Sequence, residues 1–311
     1  RYASEFGFQS FPSVKTLETV TDDPKELNPF SYVMEKHQRN YGGNGKIAKY
    51  MQAAYRYPEN FSDFVYASQL LQADGIRYGV EHYRRNRGRC MGAIYWQLND
   101  CWPVISWSSI DYYGRWKALH YYAKRFFAPV MLSCEEQSWM TVEADMNRQH
   151  FEFEKSIRLN VTNETLDAHR VLVKWAVRKT DATILREEEQ CLEVPALSAV
   201  WMDKVELPQI DCFNEYVSYE AWENDQIISQ GTVIFSYPKY FHYLNPGLAV
   251  RVDGDEIVVK AEAYAKSVEI RNENDDLILE DNYFDMNAGE YRVKILDGKP
   301  DGLKVRSVYD I

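Results

Sequence analysis

Cys90-Met91-Gly92-Ala93-Ile94-Tyr95-Trp96 is continuously apolar. A run of this kind suits a strand buried on both faces, as in a parallel sheet. Ahead of it, Tyr57-Pro58-Glu59-Asn60 reads as a helix entrance, with Asn60 or Ser62 as N-cap. From Phe61 to Arg84 apolar groups recur at helical spacing: Phe61, Phe64, Val65, Ala67 and Leu71. A second helix is expected from about Trp116 to Phe126. The order strand, long helix, strand, helix implies βα units.

The long helix ends in Tyr83-Arg84-Arg85-Asn86-Arg87-Gly88-Arg89. Its arginines are read as cations that complement a helix C-terminus, with Gly88 ending the helix; an anion site is the alternative. The texture then changes at Phe126-Phe127-Ala128-Pro129. Residues 1–128 carry 17 basic and 12 acidic side chains, whereas residues 129–311 carry 19 and 35. The acidic excess therefore belongs to the second part.

Beyond the break, short alternating runs recur: Trp139–Ala144, Ile157–Val161, Val171–Val177, Tyr216–Trp222 and Glu256–Ala261. Asn224-Asp225, Asp253-Gly254 and Asp297-Gly298 punctuate them. This is the pattern of antiparallel β-sandwiches. Tyr237-Pro238 through Asn245-Pro246-Gly247 reads as a linker, which splits the β region near residue 240.

With 311 residues, the chain has room for two or three domains at about 100–200 residues each. A net charge of −11 argues against a nucleic-acid or anionic-membrane partner, which would need a basic face. No apolar run approaches the roughly 18 residues of a membrane span. Arg1-Tyr2-Ala3 reads as a chain that begins mid-protein. The five cysteines, Cys90, Cys101, Cys134, Cys191 and Cys212, are odd in number and widely spaced. They suggest unpaired buried thiols rather than a zinc site or disulfide framework, and lean toward a cytoplasmic setting.

Most candidate chemistry is weak. The six histidines lack ligand spacing, so no metal is expected. Gly42-Gly43-Asn44-Gly45-Lys46 evokes a phosphate loop, but Ile47 follows the lysine where Ser or Thr is needed; a flexible surface loop is expected. Two segments rise above this. In Ala3-Ser4-Glu5-Phe6-Gly7-Phe8-Gln9-Ser10-Phe11-Pro12 a carboxylate sits among aromatics, with Gly7 permitting a sharp turn. In Ile94-Tyr95-Trp96-Gln97-Leu98-Asn99-Asp100-Cys101-Trp102-Pro103, continuing to Trp107 and Trp116, tryptophans cluster with amide and carboxylate partners. That combination suits a sugar, whose apolar face stacks on indole while its hydroxyls seek polar groups. An ordinary strand-end glutamate and core tryptophans are the alternatives.

Together these segments resemble the family 2 glycoside hydrolases, specifically the β-mannosidases. Ser4-Glu5-Phe6-Gly7-Phe8-Gln9 resembles the end of the seventh barrel strand of that family. The stretch from Tyr95 to Pro103, with Ser106-Trp107-Ser108-Ser109-Ile110-Asp111-Tyr112-Tyr113-Gly114-Arg115-Trp116-Lys117, resembles the eighth strand and its loop. Asp281-Asn282-Tyr283-Phe284-Asp285 with Gly289-Glu290 resembles the family's last immunoglobulin-like domain.

The resemblance implies a multidomain chain: the C-terminal part of a (β/α)₈ TIM barrel over residues 1–128, then two all-β immunoglobulin-like sandwiches over 129–238 and 239–311. It implies retaining hydrolysis of a β-mannoside oligosaccharide with no cofactor. Glu5 matches the nucleophile, for which surrounding hydrogen-bond donors are expected. Trp96 matches an aromatic platform for the sugar. Asn99 and Trp102 are candidate substrate-binding residues; with Asp100 they are expected chiefly to order the loop. The family's acid/base is a Glu after an Asn on the fourth strand, which implies an N-terminal part of the enzyme upstream of Arg1. Asn163-Glu164, Asn214-Glu215 and Asn272-Glu273 lie in the sandwich region and are read as decoys. A family 2 enzyme acting on galactose or glucuronate, or a non-catalytic carbohydrate-binding or spacer module, remains open.

Overall fold

The computed structural model describes residues 1–141 and 153–311. It opens with strand β1 (Ala3–Phe6) and helices α1 (Val14–Leu17), α2 (Tyr32–Lys36), α3 (Gly43–Ala54) and α4 (Phe61–Arg85). Strand β2 (Ala93–Tyr95) and helix α5 (Ala118–Phe126) follow. Met91 N donates to Arg1 O at 2.8 Å and Trp96 N to Phe6 O at 2.7 Å. The offset between partners is the same at both ends, so β1 and β2 run parallel. This strand–helix–strand–helix segment is a remnant of a TIM barrel.

Helix α4 starts where its cap predicts: Asn60 Oδ1 accepts from Asp63 N at 3.0 Å. Phe64, Leu70, Ala73, Ile76 and Val80 make its buried stripe. Each large apolar side chain so placed contributes about 1.5–3 kcal/mol.

Three sequence expectations need correction here. First, β2 is not buried on both faces: Ile94 is 51 % exposed. Among the described residues β2 pairs only with β1, so its apolar run has a strand neighbour on one edge and open faces. Second, Gly42-Gly43-Asn44-Gly45-Lys46 is no loose loop. Gly42, at φ +66°, caps α3, and Gly43 and Asn44 are buried in its first turn. A Cβ on Gly43 would lie 2.6 Å from the Gln38 side chain, which would have to move to admit it. Third, the arginines ending α4 do more than face a dipole. Arg84 donates to Phe126 O at 2.7 Å, Arg85 to Cys134 O at 3.3 Å and Arg87 to Leu197 O at 2.6 Å. Arg87 also pairs with Glu164. Arg84 thus ties α4 to the end of α5, Arg85 ties it to a residue of the following sandwich's first strand, and Arg87 holds residues that flank later strands.

That sandwich is built from β3 (Val130–Gln137), β4 (Ser156–Asn163), β5 (His169–Lys179), β6 (Ile184–Val194), β7 (Ser198–Trp201), β8 (Val205–Glu206), β9 (Glu215–Glu223) and β10 (Gln226–Ile234). One sheet has the order β3-β4-β7, with β8 also on β4; the other runs β10-β9-β5-β6. Leu132, Leu159 and Val161 meet Val173, Trp175, Val217 and Phe235 in its core. Asn224 and Asp225, at φ +50° and +60°, form the tight turn joining β9 to β10. The expected strand Trp139–Ala144 is described only over its first three residues. Trp139, Met140 and Thr141 lie in a turn, and residues 142–144 fall outside the described residues.

The C-terminal sandwich contains β11 (Ala249–Asp253), β12 (Glu256–Ala261), β13 (Ala265–Arg271), β14 (Ile278–Leu279), β15 (Phe284–Met286), β16 (Gly289–Asp297) and β17 (Lys304–Arg306). Its sheets have the orders β11-β12-β16-β14 and β15-β13-β17. Asn282 clasps β13: its Oδ1 accepts from Ile270 N and its Nδ2 donates to Ile270 O, each at 2.8 Å. Phe284 stacks on Tyr291 with ring centres 4.1 Å apart. The Asp281–Asp285 signature is thus a strand-locking device.

The chain divides into two compact units. One comprises Arg1–Ala3, Val80–Ala93 and Arg125–Leu244; the other comprises Ser4–Gly79, Ile94–Lys124 and Asn245–Ile311. The second therefore joins most of the barrel remnant to the C-terminal sandwich. Within it, Tyr66 OH donates to Ser267 O at 2.6 Å and Ser13 Oγ to Asp275 Oδ2 at 2.8 Å. All five cysteines are free; Cys134 and Cys212 are buried as expected, but Cys101 and Cys191 are exposed. No helix of the described residues is long and apolar enough to cross a membrane.

Candidate active site

The sequence candidates lie at the C-terminal ends of β1 and β2, where the chemistry of a barrel sits. Glu5 is the third residue of β1 and its side chain is exposed. Among the described residues no hydrogen-bond donor reaches its carboxylate. Trp96 follows β2 directly and is 48 % exposed. Its backbone N–H bonds to Phe6 O, which places the Trp96 turn beside the residue after Glu5. The Trp96–Gln97 peptide is cis.

Gly7 is what permits this approach. A Cβ there would lie 2.3 Å from the Trp96 carbonyl oxygen and 3.0 Å from Trp107 Cδ1. The glycine is required for the near contact of two backbones rather than for a left-handed turn, since it has no positive φ.

The loop after Trp96 is ordered from within. Gln97 Nε2 donates to Asn99 O at 3.0 Å and to Asp100 Oδ1 at 3.1 Å. Ser106 Oγ donates to Asp100 Oδ2 at 2.8 Å. Asn99 itself is exposed, and its backbone bridges to Ile110. Trp102 sits further along. It stacks on His37 with ring centres 4.9 Å apart, and the Arg39 guanidinium lies 4.5 Å from its ring centre. His37 Nδ1 is 2.6 Å from Pro103 O, and Ile105 N donates to His37 O at 2.8 Å. The structure thus brings the Glu5 strand and the Trp96 turn together, leaves Asn99 exposed, and engages Trp102 with protein side chains. Asp100 orders the loop.

Several residues received no role of their own from the sequence. Lys117 is fully buried, and burial pulls its pKa down to about 7 against the opposing pull of Asp100 and Asp111. Its Nζ donates to Ser10 O at 3.3 Å. Asp111 accepts from Tyr113 N and Arg115 N, each at 3.0 Å, and so folds the Asp111–Arg115 turn. Tyr95 OH is 2.8 Å from Ser109 Oγ; burial raises the phenol's pKa, with Ser109 opposing. Gln72, on α4, is the other omission. The signal available in sequence was a set of polar residues, Ser68, Gln69 and Gln72, on a helix face otherwise apolar.

An exposed carboxylate on β1 and a half-exposed indole on the adjoining turn are side chains of the kinds a nucleophile and a sugar platform require. Of the sandwich Asn-Glu pairs, Asn163-Glu164 is tied up in the fold. Asn163 is buried and donates to Asp167 O at 2.8 Å and Pro195 O at 2.9 Å, while Glu164 pairs with Arg87.

Comparison with known proteins agrees with this layout. Residues 155–240 match a mannosidase Ig/CBM-like domain, and residues 243–311 match an Ig-fold domain. The chain is 30% identical to β-mannosidase B of Thermothelomyces thermophilus, an alignment that covers 99% of this chain and 39% of that protein. It is 39% identical to the β-mannosidase of Capra hircus over 42% of this chain and 16% of that one. Among solved structures, a β-D-mannosidase from Dictyoglomus thermophilum superposes with a TM-score of 0.83 at 25% identity, over 99% of this chain and 37% of that chain. An exo-chitosanase from Amycolatopsis orientalis shares the fold, with a TM-score of 0.64 at 15% identity over 96% of this chain and 41% of that one. The chain therefore spans about two fifths of the length of the relatives it matches from end to end.

Proposed function

The chain corresponds along its length to the C-terminal portion of the family 2 β-mannosidases, and from that premise we propose that it supplies the nucleophile of a retaining β-mannosidase, Glu5. The observation that carries this reading is the pairing of the Glu5 strand with the Trp96 turn through the Trp96 N to Phe6 O bond of 2.7 Å.

In this mechanism the Glu5 carboxylate attacks the anomeric carbon of a terminal β-mannosyl unit while an acid protonates the departing oxygen. The resulting glycosyl ester on Glu5 is then hydrolysed by water, and the same acid, now a base, takes the water's proton. The acid and Glu5 stand roughly 5–5.5 Å apart in such a site. Its carboxyl comes from an upstream part of the enzyme, the seat of the first barrel units. Trp96 offers its face to the sugar, and Asn99 and Trp102, on the loop that follows it, are the further substrate-binding candidates. Residues 129–238 and 239–311 serve as two immunoglobulin-like supports.

A dinitrophenyl β-mannoside tests the reading, because its leaving group departs without an acid. In the complete enzyme, Glu5→Ala should lower its hydrolysis by orders of magnitude with binding largely kept. An unchanged rate would remove Glu5 from the mechanism. Dinitrophenyl β-galactoside and β-glucuronide, run beside it, decide the sugar.

A further inference from the structure

Beyond Phe6 the Glu5 strand leaves regular pairing, and as far as Phe11 its one sheet contact among the described residues is a bridge from Ser10 to Ser106. Backbone buried in this way needs partners from elsewhere. Helix α4 provides them. Phe11 N donates to Ser68 Oγ at 3.1 Å, and Gln69 Nε2 donates to Phe11 O at 3.1 Å.

Gln72 makes the decisive contacts. Its Nε2 donates to Phe8 O at 2.8 Å, to Trp107 O at 3.0 Å and to Ser108 O at 3.3 Å. Its Oε1 accepts from Ser10 Oγ at 2.6 Å. Three carbonyls on one side and a hydroxyl donor on the other fix the orientation of the amide. The side chain is 0 % exposed. Phe8 is three residues past Glu5. Trp107 O also accepts from Gln97 N at 3.1 Å, and Gln97 follows Trp96. One buried amide thus holds both the Glu5 strand and the Trp96 turn.

We propose that Gln72 is a positioning residue that sets the separation of the Glu5 carboxylate from the Trp96 sugar platform. The proposal rests on the reading of Glu5 as nucleophile. A helix-borne amide suits the task, because the helix is rigid and a displacement of about 1 Å at a reacting group costs on the order of 100-fold in rate. Substitution should therefore act on kcat: the sugar still finds Trp96, but the attack geometry is lost.

The test uses the complete enzyme and a dinitrophenyl β-mannoside. Gln72→Met keeps length and removes the polar group; Gln72→Glu replaces the two N–H donors with an acceptor facing three carbonyls. Both should lower kcat about 10- to 100-fold while KM changes less than about threefold. A purely structural role would lower the melting temperature and leave kcat of the folded fraction alone. Glu5→Ala runs in parallel. If Glu5→Ala retains the wild-type rate, the functional reading fails first. If Glu5→Ala abolishes turnover while folded Gln72→Met keeps the wild-type kcat, the positioning role is overturned. Should neither Gln72 variant fold, Ser10→Ala, which removes only the hydroxyl bond to Oε1, decides. A drop in kcat at constant KM supports the proposal, and an unchanged kcat overturns it.

Discussion

Arg306, on β17, donates through Nη1 to Asp63 Oδ1 in the first turn of α4 at 2.9 Å. Its Nε pairs with Glu269 on β13, and its guanidinium carbon lies 4.3 Å from the Tyr66 ring centre. Burial by itself would lower the arginine's pKa, but the charge and hydrogen bond of Glu269 outweigh it and raise the value. A sandwich strand and a barrel helix thus share one cation. Removing the cation alone leaves Glu269 buried with only the charge of Arg271 and the Tyr283 hydroxyl to offset it. We expect Arg306→Met to destabilise the chain by about 3–5 kcal/mol. The double change Arg306→Met with Glu269→Leu should cost less than the single one. Urea unfolding of both variants checks this; a double variant weaker than Arg306→Met would contradict it.

Glu269 also governs behaviour in acid. Burial raises its pKa, yet Arg306, through its charge and hydrogen bond, and then Arg271 and Tyr283 bring the net value below the ordinary 4.5. A carboxyl whose folded pKa is depressed adds stability above its unfolded pKa. That contribution is lost as pH falls through the folded value. Wild type should therefore lose unfolding free energy below about pH 4.5 more steeply than Glu269→Gln. Thermal melts between pH 3 and pH 7 read the difference, and parallel curves would remove Glu269 from the acid limb.

Much of the architecture was legible in the chain because it rests on local rules. Asn60 caps α4 through a contact three residues away, and Asn224-Asp225 makes a hairpin because both residues tolerate positive φ. The pairing of Glu5 with Trp96 was legible only through family resemblance, since 91 positions separate them. Other features depend on neighbours that no local pattern reveals. The apolar run before Trp96 signals burial but does not say which faces have partners, and Ile94 ends up exposed. Gly43 looks like loop material until Gln38 and Gln9 are seen against it. Gln72 reads as a stray polar residue until the Phe8 and Trp107 carbonyls, distant in sequence, meet at its Nε2.

Gly7 should be the most activity-sensitive glycine in the site. The atom its Cβ would strike is backbone, the Trp96 carbonyl at 2.3 Å, so a side-chain rotation cannot relieve the clash. Gly7→Ala should cost about 1–3 kcal/mol of stability, as overpacking does. It should also push the Trp96 turn away from β1, so kcat/KM on an aryl β-mannoside should fall further than the stability loss accounts for. Activity measured well below the melting temperature separates the two effects. A variant of wild-type kcat/KM would show that the close approach is dispensable.

Lys117 gives the chain a stability gradient at higher pH. Its folded pKa is about 7, against an ordinary 10.5, because burial penalises the ammonium. Below pH 7 both folded and unfolded chains hold the proton, and the full penalty applies. Between about 7 and 10.5 the unfolded chain holds a proton the folded chain has released, so stability rises with pH by at most about 1.4 kcal/mol per unit. Lys117→Met removes this proton while keeping the length of the side chain. The unfolding free energy of Lys117→Met minus that of wild type should therefore fall steadily from pH 7 to pH 9.5. Its sign at pH 6 depends on how Asp100 and Asp111, which face the ammonium, fare without it; the slope does not. Denaturant titrations at pH 6, 8 and 9.5 measure the slope, and a constant difference would mean that Lys117 keeps its proton throughout this range.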